Sequence, residues 1–144
     1  MGRRAITASA AETEAVGAAI ARELEEGDVV VLSGEVGAGK TTLIRGACRQ
    51  LGVKEPVTSP TFTIGHRYQG RLSVSHLDLY RLQDLEDEDP GLLEDYVEAG
   101  AVTFVEWPVV AERKLRSAKT LEINLSHAGG DRRMIEVVAA SHSK

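Results

Sequence analysis

Val29-Val30-Val31-Leu32-Ser33-Gly34-Glu35-Val36-Gly37-Ala38-Gly39-Lys40-Thr41-Thr42 is the stretch that decides the fold. Residues 29–32 are four branched apolar side chains in succession, with no alternation, the pattern of a strand buried on both faces. Residues 34–41 fit G-x-x-x-x-G-K-[ST] at every fixed position. Residues 41–50 then have helical character, with Leu43, Ile44 and Ala47 on one side. Buried strand, glycine-rich loop and helix, in that order, open an α/β fold. The loop's residue types follow from its chemistry. Backbone N–H groups must wrap an anion closely, and bulky side chains at the glycine positions would obstruct the approach. The helix behind points its positive end at the phosphates. Lys40 is a compact charge that reaches the β- and γ-phosphates, and the Thr41 hydroxyl is a hard oxygen suited to Mg²⁺. The plainer alternative is a turn that merely joins strand to helix, and an eight-residue match in this context outweighs it. The Asn-Lys-x-Asp signature of guanine-specific GTPases is absent from the chain, which leans to ATP.

Outward from the loop, a helix is expected over 10–26. Ser9 can cap it, Glu12 completes a capping box, and Val16, Ile20 and Leu24 form one apolar stripe ended by Gly27. Downstream, Phe62, Ile64, His66 and Tyr68 share one face of a candidate strand, and Leu72, Val74 and His76 share a face of the next. Gln69-Gly70 between them predicts a hairpin. Residues 101–105 form a second short apolar run, expected to be a buried strand. Leu121, Ile123 and Leu125 alternate, residues 128–131 turn the chain, and 134–138 return, so the sheet is expected to be mixed. The acidic run at 84–89 reads as a solvated loop.

The 144 residues are 42% hydrophobic and 27% charged, which suits one ordinary soluble domain spanning 1–144. With 17 Lys+Arg against 22 Asp+Glu, the net charge of -5 argues against a chain that grips DNA or RNA phosphates unaided. No apolar run has the length to cross a bilayer, and the N-terminal residues lack a secretory apolar region. The one cysteine, Cys48, fits a reducing compartment, so a cytoplasmic protein is expected.

A phosphate loop also needs an acid at the end of a buried strand to hold Mg²⁺. Glu106, after the more apolar approach, ranks slightly ahead of Asp78. The bland alternatives are an acid capping a neighbouring helix for Glu106 and a turn acid for Asp78. Thr61, in Ser59-Pro60-Thr61-Phe62, occupies the position of a switch loop that senses a γ-phosphate, although an ordinary loop before a strand has the same appearance. Trp107 is either a core filler or a neighbour of the nucleotide. His76 reads as a packed strand residue, and Cys48 as helix packing.

Residues 34–42 (Gly-Glu-Val-Gly-Ala-Gly-Lys-Thr-Thr), 59–63 (Ser-Pro-Thr-Phe-Thr), 76–82 (His-Leu-Asp-Leu-Tyr-Arg-Leu) and 105–108 (Val-Glu-Trp-Pro), taken together and in this order, resemble the TsaE family. That family is the small ATPase of bacterial tRNA threonylcarbamoyladenosine synthesis. The likeness covers about residues 5–138. It implies a P-loop NTPase fold, a three-layer sandwich with a central mixed sheet flanked by helices. It implies ATP and Mg²⁺ as ligands, and slow hydrolysis that speeds up with two partners, TsaD and TsaB. Those partners modify adenosine 37 of tRNA, and TsaE sustains their turnover without transferring the group itself. Carried over to this chain, Gly34, Glu35, Val36, Gly37, Ala38, Gly39, Lys40, Thr41 and Thr42 would bind nucleotide. Thr41 and Glu106 would bind Mg²⁺, with Asp78 as the Walker-B-like acid. Thr61 would be the switch residue, and Trp107 would lie beside the nucleotide. Val109 stands where the family often has an acid or amide, and the basic cluster Arg113, Lys114, Arg116 and Lys119 reads as solvated surface. A small-molecule P-loop kinase and a nucleotide-gated binding module are the rival readings.

Overall fold

The apolar run at 29–32 becomes the middle strand of a seven-stranded mixed sheet in the computed structural model, which describes residues 2–34, 38–57, 65–78, 101–106 and 121–139. In chain order the elements are β1 (Gly2–Thr7), α1 (Ala10–Ala21), β2 (Val29–Gly34), α2 (Lys40–Gln50), β3 (Gly65–Gln69), β4 (Ser73–Asp78), β5 (Ala101–Glu106), β6 (Leu121–His127) and β7 (Arg133–Ala139). The strand order is β1-β7-β6-β2-β5-β4-β3. β2 runs parallel to both neighbours, β5 and β6, and β5 runs parallel to β4. The outer pairs β3–β4, β6–β7 and β1–β7 are antiparallel.

A strand in such a position has two faces to bury, which accounts for the absence of alternation in its sequence. Val30 and Leu32 join the core formed with Ile20, Leu43, Ile44, Phe104 and Ile123. Val29 and Val31 are buried as well, and they lie outside that cluster.

The two helices lie directly against each other. A Cβ on Gly17 would stand 2.0 Å from the Leu43 carbonyl oxygen, and one on Gly46 would stand 2.0 Å from the Glu14 oxygen. Backbone therefore meets backbone, and only glycine fits at either place. Glu14 flanks the contact and binds Arg49 at 2.8 Å.

α1 starts as expected. The Ser9 hydroxyl accepts from the Glu12 N–H at 3.2 Å, and the Glu12 carboxylate accepts from the Ala8 N–H at 2.7 Å. The helix ends at Ala21, earlier than the expected boundary at 26. The ladder has tightened by then, with the Glu23 and Leu24 N–H groups donating to the Ile20 and Ala21 carbonyls at 3.0 and 3.1 Å, and in the turn that follows the Asp28 carboxylate accepts from the Glu25 N–H at 2.9 Å. Leu24 still reaches the core, carried there by a turn that ends at Gly27, φ 92°.

The hairpin between β3 and β4 is present, with Gln69 paired to Ser73 as its last rung. Its turn is wider than Gln69-Gly70 alone and takes in Leu72, which was expected on the strand. The turn is anchored on the end of α2: the Arg71 N–H donates to the Leu51 carbonyl at 2.7 Å, and the Arg71 guanidinium donates to the Gln50 carbonyl at 2.6 Å. Carbonyls at a helix C-terminus lack intrahelical partners, and arginine supplies one. Phe62 and Ile64 lie outside the described residues. The terminal hairpin β6–β7 turns at Gly129 and Gly130, both with positive φ. Strand β1 was not expected from the sequence. It pairs with β7 from Gly2↔Val138 to Thr7↔Arg133.

Candidate functional site

Parallel strands bring their C-terminal ends to one edge of a sheet, where open α/β sheets hold ligands. Here Leu32 of β2 is in register with Glu106 of β5, and Glu106 is in register with Asp78 of β4. Two acids that stand far apart in the sequence thus end neighbouring strands beside the start of α2. The Asp78 side chain lies outside the described residues.

α2 begins at Lys40. Its N-cap is Gly39 in the left-handed region, φ 104°, a residue with no side chain to cap the first turn. That end of the helix carries partial positive charge. The Lys40 side chain is buried and its ammonium donates to the Gly34 carbonyl at 2.8 Å, so it folds back over the mouth of the loop. Ala38 is fully buried. Glu35, Val36 and Gly37 lie outside the described residues, as do Thr61, Trp107, Val109, the acidic run and the basic cluster.

The Thr41 hydroxyl donates to Glu106 Oε2 at 3.2 Å. The same oxygen accepts from His76 Nε2 at 2.6 Å, and the His76 ring has no solvent exposure. Sequence reading left His76 as packing. The signal available was its place two residues before Asp78, on the same face of a strand.

The Thr41–Glu106 pair bears on the metal question. Adjacent oxygens in an octahedral Mg²⁺ shell, at about 2.0–2.1 Å from the ion, stand about 3 Å apart. A hydroxyl and a carboxylate oxygen at 3.2 Å fit that spacing and the hard-ligand chemistry of Mg²⁺. Among the described residues no group of three or more His, Cys, Asp and Glu could form a metal cage. An ion bound mainly through one or two carboxylates and substrate phosphates needs none.

A recess of about 340 Å³ adjoins the helix end, lined by Ser9, Ala10, Thr13, Gly39, Thr42, Asp131 and Arg133. Arg133 is held there by the Gly130 and Arg132 carbonyls at 3.0 and 2.9 Å. These lining residues, Gly39 and Thr42 apart, were not foreseen, because the recess forms between segments from opposite ends of the chain.

The profile of a family described as threonylcarbamoyl adenosine biosynthesis protein TsaE matches residues 7–135. The chain belongs to the TsaE family. It is similar to the tRNA threonylcarbamoyladenosine biosynthesis protein TsaE of Bacillus subtilis, with 39% identity over 94% of this chain and 85% of the relative. Its similarity to the protein of that name in Treponema pallidum is 43%, over 72% of this chain and 77% of the relative. The crystal structure of YdiB from Bacillus subtilis superposes with a TM-score of 0.72 at 31% identity, covering 97% of this chain and 86% of the other. A neighbour of that closeness, together with the mixed sheet and its helices, gives the α/β P-loop NTPase fold. Among the described residues no helix is long and apolar enough to cross a membrane.

Proposed function

We propose that this chain binds and hydrolyses Mg²⁺-ATP in the tRNA threonylcarbamoyladenosine pathway, acting in the cytoplasm with TsaD and TsaB. In this reading it sustains their turnover on adenosine 37 and leaves the group transfer to them. One observation carries the reading: Thr41 Oγ1 and Glu106 Oε2 stand 3.2 Å apart at the glycine-capped start of α2, directly behind the glycine-rich loop.

Phosphoryl transfer needs little covalent work from the protein, so positioning and charge stabilisation carry most of the catalysis. Lys40 exchanges the Gly34 carbonyl for the phosphate oxygens and neutralises their charge. The N–H groups that open α2 face the same phosphates. Thr41, Glu106 and Asp78 would hold Mg²⁺, which would supply positive charge against the phosphates. Thr61 orders the γ-phosphate or the attacking water, and Trp107 shields the nucleotide. The recess beside Thr42 takes the nucleoside, with Arg133 along its wall.

Reconstitution tests this reading. Purified TsaD and TsaB, tRNA, the threonylcarbamoyl donor and ATP are combined with the chain, without it, or with its Lys40→Ala variant. Multiple-turnover modification is expected only with the parent chain. Equal modified tRNA in all three mixtures overturns the reading.

A further inference from the structure

We infer that His76 is a positioning residue for Glu106, holding its carboxylate in place whether or not a cation is bound. The inference rests on the proposed function, in which Glu106 faces the cation. Three observations support it. First, the contact is short, 2.6 Å between His76 Nε2 and Glu106 Oε2, and it spans two adjacent parallel strands. Because a carboxylate oxygen only accepts, Nε2 carries the proton and donates it.

Second, the other ring nitrogen, Nδ1, is buried and has no hydrogen-bond partner among the described residues. A desolvated, unpaired nitrogen weighs against folding. His76 lies between Ser75 and Leu77 on a strand where Val74 and Leu77 are apolar and buried. An apolar side chain there would avoid that penalty. Among the described residues the ring's one polar contact is with Glu106, so the unpaired nitrogen is tolerated for the sake of that contact.

Third, the second bond to the carboxylate is of a different kind. The Thr41 hydroxyl also donates to Oε2, at 3.2 Å. Thr41 stands on α2 and is itself a proposed cation ligand, so its oxygen has two tasks, whereas the His76 bond comes from β4 and has Glu106 as its object. His76 therefore fixes the direction of the carboxylate independently of the cation's other ligands. Groups that hydrogen-bond a metal-ligating carboxylate commonly matter in this way, with losses of about 10–100-fold in metal affinity when they are removed.

The test measures ADP affinity of the full chain by calorimetry, with Mg²⁺ and with excess EDTA, so the readout is independent of hydrolysis. His76→Leu and His76→Met remove the donor in two different shapes, so that one can serve if the other does not fold. His76→Gln returns an N–H at similar reach. The donor-free variants are expected to bind ADP in EDTA as the parent does, and to lose about tenfold or more of the Mg²⁺ enhancement. His76→Gln is expected to regain most of it. A donor-free variant with the parent's full Mg²⁺ enhancement overturns the inference, as does a folded His76→Gln no better than Leu or Met. A parent chain whose ADP affinity ignores Mg²⁺ overturns the proposed function itself, and this inference with it.

Discussion

Gly46 meets the Glu14 carbonyl with no space between them: a Cβ on Gly46 would stand 2.0 Å from that oxygen and 2.6 Å from the carbonyl carbon. The obstacle is backbone, which cannot swing aside as a side chain can. Gly46→Ala must push α1 off α2, and overpacking of this kind costs about 1–3 kcal/mol or more. Urea unfolding is the measurement, and a variant as stable as the parent would contradict the packing described.

Lys40→Ala is expected to fold, since the bond lost runs to the Gly34 carbonyl at the lip of the loop. ATP hydrolysis should fall by on the order of 10²-fold or more, the usual cost of removing a group that offsets transition-state charge. Phosphate release with TsaD and TsaB present checks it, and parental rates would remove Lys40 from the site.

Arg133→Ala addresses the recess. Its guanidinium is held by the Gly130 and Arg132 carbonyls and lines the cavity with Thr42. A bond from a charged donor contributes about 1.5–3 kcal/mol, so ATP affinity should fall on the order of tenfold. Calorimetric titration with ATP, and with free tripolyphosphate as control, separates nucleoside from phosphate recognition. If both ligands bind as they do to the parent, the recess has another use.

Burial pushes the Cys48 thiol from its ordinary 9.0 up to about 12. The folded value lies above the unfolded one, so the unfolded chain releases its proton first as pH rises. The contribution of the neutral thiol to stability is complete below about pH 9 and is lost progressively toward about pH 12. Relative to Cys48→Ala, the parent should lose unfolding free energy as pH climbs through that window. At about pH 8, a thiol-directed reagent should label the parent only after unfolding. Rapid labelling of folded protein would refute the burial.

The sequence was most informative where local pattern and tertiary role coincide. The unbroken apolar run of β2, the glycine loop and the apolar side of α2 are each written in consecutive residues. Both hairpins also announced themselves, through alternation and turn glycines. β1 did not, because its pattern runs against its environment. Ile6 is 54% exposed, and Arg3 and Arg4 stand in solvent. What makes this segment a strand is the backbone of β7, more than a hundred residues away. The end of α1 was misplaced for a smaller reason: the chain tightens into i→i−3 turns from Glu23 onward while Leu24 keeps its place on the apolar stripe. The candidate site divides in the same way. Its phosphate loop is contiguous and legible. His76 beside Glu106, and Ser9 across a recess from Arg133, are juxtapositions that only the strand order creates.

Thr41 and Glu106 are 65 residues apart in the chain. Their meeting requires β2 and β5 to be zipped together in the middle of the sheet, so no local fragment, and no partly folded chain with β5 detached, can assemble the pair. Non-local pairing of this sort forms late and slowly. Ligand occupancy thereby becomes a reporter on the integrity of the entire sheet. Any compound that draws on both residues acts as a clamp on the whole molecule, raising its resistance to heat and proteolysis in step with its concentration.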